Sequence, residues 1–335
     1  MNNNIKIDFV LPWVDDSDPK WREEKKKFQQ STIDESNSDI RYRDWDLLKY
    51  WFRAIETNAP WVNKIFFITC GQKPEWLDES NEKLVLINHA DYIDSKLLPT
   101  FNINVIEDNI HRIDELSEHF VYFNDDMYII NKTKKQDFFK KNLPCDSFCF
   151  NAVSAKKDNN IIEHNILNDG AIIEKYFTKN KVLKKNFSKI LNPKYGIKNN
   201  IKSLLLTPWK NFTGIYNPHV PCPYLKSSMR ELWDLEKEAL KKGSSGKFRS
   251  KDDINIWVFR YWNLFNGRFT PYTTKKSYYY DICTENSMIE KIILGKKYKL
   301  ICLNDSDQDL NFEKAKKELI EIFEKKFPTK SSFEK

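Results

Sequence analysis

Two groups of carboxylates follow apolar runs of the sequence, at the points where buried strands would end. The first group is Asp15, Asp16 and Asp18, and the second is Asp125 and Asp126. A run such as HFVYF that ends in Asn-Asp-Asp puts its acids where an apolar core cannot accept them, so they need solvent, a metal or a partner charge. Carboxylates at neighbouring strand ends suit Mg²⁺ or Mn²⁺, hard ions that bridge phosphates. For any one of these aspartates, capping of a turn or helix is the competing interpretation.

The stretch TFNINVIEDNIHR carries a further group of polar side chains. On a helix, Asn104, Glu107 and His111 would share one face, and an amide, an acid and an imidazole together could bind ribose, sugar hydroxyls or a base edge. Arg112 follows His111 directly and could assist in contacts with phosphate. The same pattern is equally that of an amphipathic helix with a polar outer face, so the residues alone leave both interpretations open.

Later loops offer a candidate base and a candidate phosphate contact. His219 stands among prolines in NPHVPCPY, and a stiff loop suits a general base, although an isolated histidine is more often structural. Arg249 in KFRSKDD suits bidentate contact with phosphate, with Asp253 close behind, although charged loops are usually only solvated. Asp305 in CLNDSD is either a third wall of the same site or part of a helix N-terminus capped by residues 305–309.

These candidates need an architecture that brings strand ends together. Apolar runs that alternate with helical patterns predict an α/β fold, Rossmann-like, with a mostly parallel sheet flanked by helices. Ligands bind such sheets beyond the carboxyl ends of the strands, where both aspartate groups would lie. The predicted strands are Ile5–Leu11, Lys64–Thr69, Lys83–Asn88 and His119–Phe123, and a helix from Asp46 would be capped by Asp44.

The amino-acid composition of the sequence changes after residue 154. Residues 155–211 are rich in Lys, Asn and Ile and are predicted to form a helical insertion. Residues 1–154 and 212–335 would then be the two parts of one catalytic core, the second ending in a closing helix. The candidate helices are Ala171–Leu183, Lys185–Leu191, Ser227 to beyond Trp233, Ile254–Phe265 and Asn311–Phe327.

Bulk composition argues against several classes of protein. The 335 residues carry a net charge of +7, but lysines spread among acids argue against a nucleic-acid-binding stripe. The six cysteines form no CxxC pair and show no zinc-ligand spacing with the five histidines, so we expect reduced, structural thiols. No segment approaches 18 apolar residues, and no GxxxxGK(S/T) or GxGxxG loop occurs, which argues against membrane spans, P-loop enzymes and dinucleotide-binding enzymes. We therefore expect a cytoplasmic protein.

Four stretches, in order, resemble a known family. IDFVLPWVDDSDP, Ile7–Pro19, is similar to the first signature of the Stealth family of sugar-1-phosphate transferases, although Leu11-Pro12 and Asp16 depart from its usual form. Arg41–Leu77 and Leu98–Met127 together resemble the second signature. His219–Ile254 resembles the third. The stretch from LICLNDSD to FPTKSSFEK resembles the fourth. Together these stretches span nearly the whole chain.

The resemblance implies transfer of a hexose-1-phosphate or N-acetylhexosamine-1-phosphate from a UDP-sugar to a hydroxyl of an oligosaccharide or polysaccharide acceptor. The product would be a phosphodiester and the released nucleotide UMP, in the synthesis of capsule or surface polysaccharide. With Mg²⁺ or Mn²⁺ as cofactor, Asp126 and Asp125 would hold the metal, and His219 would be the general base. Asp15 would help Asp126 and Asp125 to hold the metal, and Arg249, assisted by Arg112, would neutralise phosphoryl oxygens. The predicted substrate contacts are Trp13, Asn104, Glu107, His111, Arg112, Asp253 and Asp305.

Two other classes stay open at this point. A metal-dependent glycosyltransferase would use the same acidic turn at a strand end but would cut the sugar C1–O bond and release UDP. A non-catalytic carbohydrate-binding protein would account for the aromatic content of 14%. No nucleic-acid partner is expected, and peripheral association with a membrane or with capsule-synthesis machinery is left open.

Overall fold

The computed structural model of the chain describes residues 5–29, 42–154, 161–273, 275–283, 286–305 and 310–335. The strands are β1 Ile7–Pro12, β2 Ile65–Thr69, β3 Leu84–Asn88, β4 His119–Tyr122, β5 Met127–Ile129, β6 Phe139–Lys140, β7 Leu143–Asp146, β8 Cys222–Leu225, β9 Thr270–Pro271, β10 Ser277–Asp281 and β11 Leu300–Asn304. The helices are α1 Pro19–Phe28, α2 Leu48–Asn58, α3 Ile103–Asp108, α4 Lys135–Phe138, α5 Ile161–Tyr176, α6 Lys179–Ile190, α7 Ile197–Leu206, α8 Lys226–Leu235, α9 Lys237–Gly243, α10 Trp257–Asn266, α11 Ser287–Leu294 and α12 Phe312–Lys326.

A five-stranded sheet in the order β3-β2-β1-β4-β8 forms the centre of the fold. β1 pairs in parallel with β2 and with β4, and β2 pairs in parallel with β3, whereas β8 is antiparallel to β4. The predicted α/β class and mostly parallel sheet are confirmed, and the finer Rossmann-like description stays a prediction. Because β1 and β4 are parallel neighbours, Pro12 and Tyr122 end their strands at the same edge of the sheet.

The alternation of side chains along the central strands builds two cores, one on each face of the sheet. On β1, Ile7, Phe9 and Leu11 enter the core that α2 and α12 also line, whereas Val10 enters the core lined by α3, α8 and α10. Strands buried on both faces read as continuous apolar runs, which explains why the sequence locates them within two residues. The sheet edge is thereby left as the place where polar side chains can gather.

The polar break at Asn124–Asp126 lies between two different sheets. β4 belongs to the central sheet, whereas β5 pairs antiparallel with β11 in a second sheet ordered β10-β11-β5. The backbone N–H of Met127 donates to the Asn124 carbonyl at 3.1 Å, which closes the turn between the strands. The two aspartates therefore interrupt no core strand; they occupy the crossing from one sheet to the next, at the carboxyl end of β4.

The C-terminal helix closes the core, as predicted. α12 packs Phe323 against Tyr128, with ring centroids 4.8 Å apart. Beyond the helix, the carboxylate of Glu334 accepts two hydrogen bonds of 2.8 Å from the guanidinium of Arg53 on α2. Bidentate pairing of a buried arginine fixes orientation as well as proximity, so the chain end is fastened onto α2.

Several predicted boundaries are wrong. α2 begins at Leu48 and Asp44 does not cap it, because Asp46 adopts a left-handed backbone (φ 53°) that stops the helix from extending backwards. In residues 155–211 the helix break falls between Tyr176 and Lys179 instead of after Leu183, and α7 was not predicted.

The insertion itself stays a prediction, and residues 306–309, named above as possible caps, lie outside the described residues. Asn311 caps α12 instead, with its Oδ1 accepting from the backbone N–H of Lys314 at 3.2 Å. Within the described ranges, none of the helices has the length and apolar character needed to cross a membrane.

Candidate active site

A cleft opens at the carboxyl ends of β1 and β4, with an empty volume of about 1650 Å³ that includes space open to solvent. The strand order reverses here, because the chain adds β2 and β3 on one side of β1 and then places β4 on the other. Such a reversal leaves a crevice in which ligands of α/β proteins bind. Among the described residues, its titratable lining includes the acids Asp44, Glu107, Asp125, Asp126 and Asp305 and the bases Arg43, His89, His219 and Arg249.

Asp126 is the residue on which other side chains of the cleft converge. Its Oδ2 lies 3.6 Å from Nε2 of His219 and accepts a hydrogen bond from the Cys302 thiol at 3.2 Å. The His219 ring stands edge-on to Trp257 and Tyr279, with centroids 6.5 and 6.0 Å away. Burial disfavours the charged ring, but the adjacent Asp126 carboxylate outweighs it and raises the pKa of His219. The pair forms an acid–imidazole unit that can hold or move a proton.

Three more carboxyls of the cleft are shifted towards their neutral forms. Burial raises the pKa of Glu107 to about 7, although the Tyr122 hydroxyl donates to its Oε1 at 2.5 Å. The side chain of Asp125 lies within the cleft. Loss of hydration there, followed by the negative charges of Asp126 and Asp44, raises the pKa of its carboxyl to about 7. Burial likewise raises the pKa of Asp44 to about 6. Crowded acids of this kind are stabilised by a bound cation.

Buried oxygen atoms test whether a divalent cation suits this cleft. Among the described residues, Oδ1 of Asp126 and Oδ1 of Asn124 are buried and have no hydrogen-bond partner. Buried polar atoms are normally satisfied, and carboxylate and amide oxygens are ligands that hard cations take. The residues present therefore fit Mg²⁺ or Mn²⁺.

A second donor set surrounds the same carboxylate. Ligand atoms of Asp126, His219 and Cys302 lie within 4.8 Å of one another, a combination of oxygen, nitrogen and sulfur that Zn²⁺ also accepts. Sequence spacing does not reveal this proximity. Burial, followed by the charge of Asp126, raises the pKa of the Cys302 thiol well above its ordinary value. A thiol that keeps its proton acts as a hydrogen-bond donor to Asp126.

Arg249 lines the cleft from a turn that Asp253 organises. Asp253 is 2% exposed, and its Oδ2 accepts from Nδ2 of Asn102 at 2.8 Å, Nδ2 of Asn104 at 3.0 Å and the backbone N–H of Ser250 at 3.0 Å. Its Oδ1 accepts from the Ser250 hydroxyl at 2.8 Å. Asn104 and Asp253 thus lie outside the lining and bind each other. The structure corrects their predicted role from substrate contact to support of the turn that carries Arg249.

Asp15 also lies outside the lining of the cleft. Its Oδ1 accepts from the backbone N–H of Ser17 at 2.8 Å and from the Ser17 hydroxyl at 2.6 Å. Nearby, Asp18 caps α1 by accepting from the backbone N–H of Lys20 at 2.9 Å. For this first acidic loop, local capping accounts for the carboxylates, and the predicted place of Asp15 beside Asp126 is corrected.

Only Glu107 of the predicted helical face reaches the cleft. α3 ends at Asp108, so His111 falls on the following turn, where its ring packs 5.4 Å from the Trp233 ring. The exposed guanidinium of Arg112 lies 4.9 Å from that same ring. His111 and Arg112 therefore lie outside the cleft lining, because the face they were assigned to requires a helix that continues past Asp108, and their substrate contacts stay a prediction.

The remaining predicted residues, Trp13 and Asp305, line the cleft together with residues that the sequence did not single out. Trp13 stacks on Phe67 with centroids 5.6 Å apart, and Asp305 lies 3.6 Å from Nη1 of Arg43. His89 follows β3 directly, so the rule that ligands gather at carboxyl ends of strands would have found it. Arg43 and Asp44 precede a helix and carry no such signal.

Comparison with known proteins identifies the family. Residues 6–31, 41–146 and 291–335 match the regions described as Stealth protein conserved regions 1, 2 and 4. A capsular polysaccharide phosphotransferase WcwK of Streptococcus pneumoniae is 44% identical over 337 residues, which cover 100% of both chains. The chain belongs to the Stealth family. A receptor polysaccharide phosphotransferase WefC of Streptococcus oralis is 38% identical over 98% of this chain and 99% of its own.

A further Stealth relative is the exopolysaccharide phosphotransferase cps2G of Lactiplantibacillus plantarum, 38% identical over 98% of this chain and 96% of its own. The chain is accordingly a phosphotransferase. The matched Stealth regions contribute Trp13, Glu107, Asp126 and Cys302 to the cleft or its wall. The resemblance of His219–Ile254 to the third Stealth region stays a prediction.

Proposed function

We propose that this Stealth protein transfers a sugar-1-phosphate, either hexose-1-phosphate or N-acetylhexosamine-1-phosphate, from a UDP-sugar to a hydroxyl of a glycan acceptor. The products would be a phosphodiester and UMP, in the synthesis of capsular or other surface polysaccharide. The names of three full-length relatives, all phosphotransferases of capsular, receptor or exopolysaccharide, support the polysaccharide setting. A UDP-sugar donor would place the reaction in the cytoplasm.

The convergence of His219 and Arg249 on the cleft that holds Asp126 is the observation that carries this proposal. An acceptor hydroxyl attacks the β-phosphorus while UMP leaves, so negative charge spreads over the phosphoryl oxygens. His219 would take the proton of the hydroxyl, and Arg249 would lie against the phosphoryl oxygens. Since the sugar C1–O bond is not cut, the donor's anomeric configuration should persist in the product.

The acidity of the cleft supports a cation in this reaction. Among the described residues, five carboxyls line a space that would receive a doubly charged diphosphate, and two arginines and His219 oppose them. Mg²⁺ or Mn²⁺, when bound, would neutralise charge on the diphosphate. Asp126 would hold it, with Asn124 and Asp125 at the same turn, and Cys302 would orient the Asp126 carboxylate through its hydrogen bond.

The walls of the cleft offer contacts for the rest of the donor. Trp13 is held flat on Phe67 and lines the cleft, which suits packing against a uracil or sugar ring. Glu107 and Asp305 would accept hydrogen bonds from ribose or sugar hydroxyls. These contacts would fix the donor's position relative to His219.

Identification of the released nucleotide tests the proposal. The full chain would be incubated with a series of UDP-hexoses and UDP-N-acetylhexosamines, Mg²⁺ and a glycan acceptor, with Asp126→Asn as the matched inactive control. We expect UMP, together with a diester resonance in the ³¹P NMR spectrum of the product. Release of UDP with no diester would overturn the proposal in favour of a glycosyltransferase. No release of any nucleotide would favour the carbohydrate-binding alternative, which membership of a phosphotransferase family argues against.

A further inference from the structure

Helix α7 turns its apolar side chains to solvent. Ile197, Ile201, Leu204 and Leu205 are 79%, 52%, 56% and 66% exposed. Their spacing of four, seven and eight residues from the first places them along one side of the helix. Trp209, three residues beyond the helix end, is 58% exposed. A surface helix normally buries its apolar stripe against the core. In α7 the apolar stripe is exposed to solvent instead.

The opposite, polar side of α7 fastens it to the protein. Ser203, fully buried, accepts from the backbone N–H of Phe150 at 3.0 Å. Nδ2 of Asn200 donates to the carbonyls of Asn192 and Gly196, both at 2.8 Å. The helix is therefore held by these polar residues and by Leu206, which packs against the core, and the apolar stripe on its other side is left for another contact.

The end of α7 is fixed by a buried cation. Lys179, 4% exposed, donates through Nζ to the carbonyls of Leu206 at 2.6 Å and of Trp209 at 2.8 Å. These bonds satisfy a carbonyl at the helix C-terminus and hold the loop that carries Trp209. The stripe and the tryptophan are thus presented together on a rigid support.

The segment that carries this surface is rich in lysine, with Glu174 and Glu236 at its border. Residues 175–211 contain ten lysines and neither aspartate nor glutamate, whereas the whole chain has a net charge of only +7. Acids and lysines alternate elsewhere in the sequence, so this segment is the exception to the even charge distribution expected from composition. Lys198 and Lys210, beside the stripe, are both exposed.

We propose that α7 and Trp209 form a docking surface for an anionic lipid bilayer. Leucine and isoleucine side chains of an amphipathic helix enter the boundary between headgroups and acyl chains, and tryptophan favours that same depth. Lysines around the helix then meet anionic headgroups, each worth about 1 kcal/mol near the surface. Contact with a second copy of this chain would bring two lysine-rich faces together, which charge repulsion disfavours. The helix would lie on the membrane and not cross it.

Vesicle co-sedimentation with the full chain tests this surface. Sucrose-loaded vesicles of phosphatidylcholine alone, or with 30% phosphatidylglycerol, would be titrated with the wild type and two variants. The first variant combines Ile201→Ser, Leu204→Ser and Leu205→Ser. Its matched control is Leu235→Ser with Met288→Ser, each 50% exposed in the wild type but outside α7. We expect binding to the anionic vesicles only, weakened roughly tenfold or more in the first variant and unchanged in the control.

The second variant, Lys198→Glu with Lys210→Glu, tests the charge. It should also weaken binding roughly tenfold or more, whereas Lys241→Glu with Lys242→Glu on α9 should not. Circular dichroism melting curves would show that each variant folds. Equal binding to both kinds of vesicle, no binding by the wild type, or equal binding by wild type and α7 variants would overturn the proposal. So would a wild-type dimer in sedimentation velocity that the first variant abolishes, because the stripe would then be an interface between copies.

Discussion

The substitution Glu107→Gln tests the electrostatics of the cleft through protein stability. Glu107 is 6% exposed, and burial raises its pKa from the usual 4.5 to about 7 in the folded protein. Glutamine keeps the oxygen that accepts the 2.5 Å hydrogen bond from Tyr122 but cannot ionise. The variant therefore removes one titration and preserves the shape and the acceptor at this position.

The sign and size of the effect follow from the raised pKa. Between about pH 4.5 and 7 the folded protein binds more protons at this position than the unfolded chain, so wild-type stability falls as the pH rises. At about 1.4 kcal/mol per unit of pKa, the wild type loses about 2.5 kcal/mol between pH 5 and pH 8 from this group alone. The variant does not titrate at this position. Its free energy of unfolding should therefore rise by about 2.5 kcal/mol relative to that of the wild type between pH 5 and pH 8.

Urea unfolding followed by circular dichroism at several pH values measures the difference. Titrating groups that do not interact with Glu107 cancel in the comparison, whereas the pKa of His219, which the Glu107 charge raises, is lowered in the variant and is followed separately by NMR. Glu321→Gln, at an exposed position of α12, is the control and should show a difference that does not change with pH. A flat difference between wild type and Glu107→Gln from pH 5 to pH 8, or one of opposite sign, would refute the reasoning that burial keeps this carboxyl protonated.

Three further substitutions test the reaction. His219→Ala should lower kcat for UMP release by roughly 10²- to 10⁴-fold, because it removes the proposed general base, and undiminished turnover would exclude that role. Asp253→Asn should lower stability in urea unfolding by about 1–3 kcal/mol, because an amide would face amide donors. It should also raise the donor KM by displacing Arg249, and an unchanged KM would contradict that link. Cys302→Ser should keep Mg²⁺-supported turnover within about tenfold of wild type, since serine also donates to Asp126. Loss of turnover with loss of bound zinc in elemental analysis would identify a thiolate ligand instead.

The parts of the fold that the sequence predicts are those with a strong local pattern. β1, β2 and β4 are buried almost throughout and stand out as apolar runs, β3 is an apolar run at the edge of the sheet, and α12 has a regular apolar face. α7 was not predicted although its apolar residues have helical spacing, and that spacing could not have shown that the apolar side faces solvent. The start of α2 was misplaced because Asp44 looks like a cap, whereas the left-handed Asp46 that decides the boundary is a backbone property.

In the candidate site, the sequence predicts the position of a side chain that directly follows a strand. It does not predict the position of a side chain that contacts another helix or strand far away along the chain. Asp125 and Asp126 were placed correctly in the cleft from the end of β4 alone. Asp253 looked like a substrate contact because nothing local shows that Asn102 and Asn104 reach it from α3, about 150 positions away along the chain. His111 lies away from the cleft because its assignment assumed a helix that continues past Asp108, where α3 ends.

The two partners of Asp126 arrive through antiparallel strands, and this direction accounts for the composition of the site. β8 runs against β4 with Cys222 opposite Tyr122, so the residues just before β8, His219 among them, lie beside those just after β4. A parallel β8 would have started at the far edge of the sheet, about 13 Å away for four residues at 3.3 Å each. β11 likewise runs against β5 with Cys302 opposite Met127, which sets the thiol next to Asp126. The parallel strands thus build the crevice and place the carboxylates, and the antiparallel neighbours deliver the imidazole and the thiol that act on them.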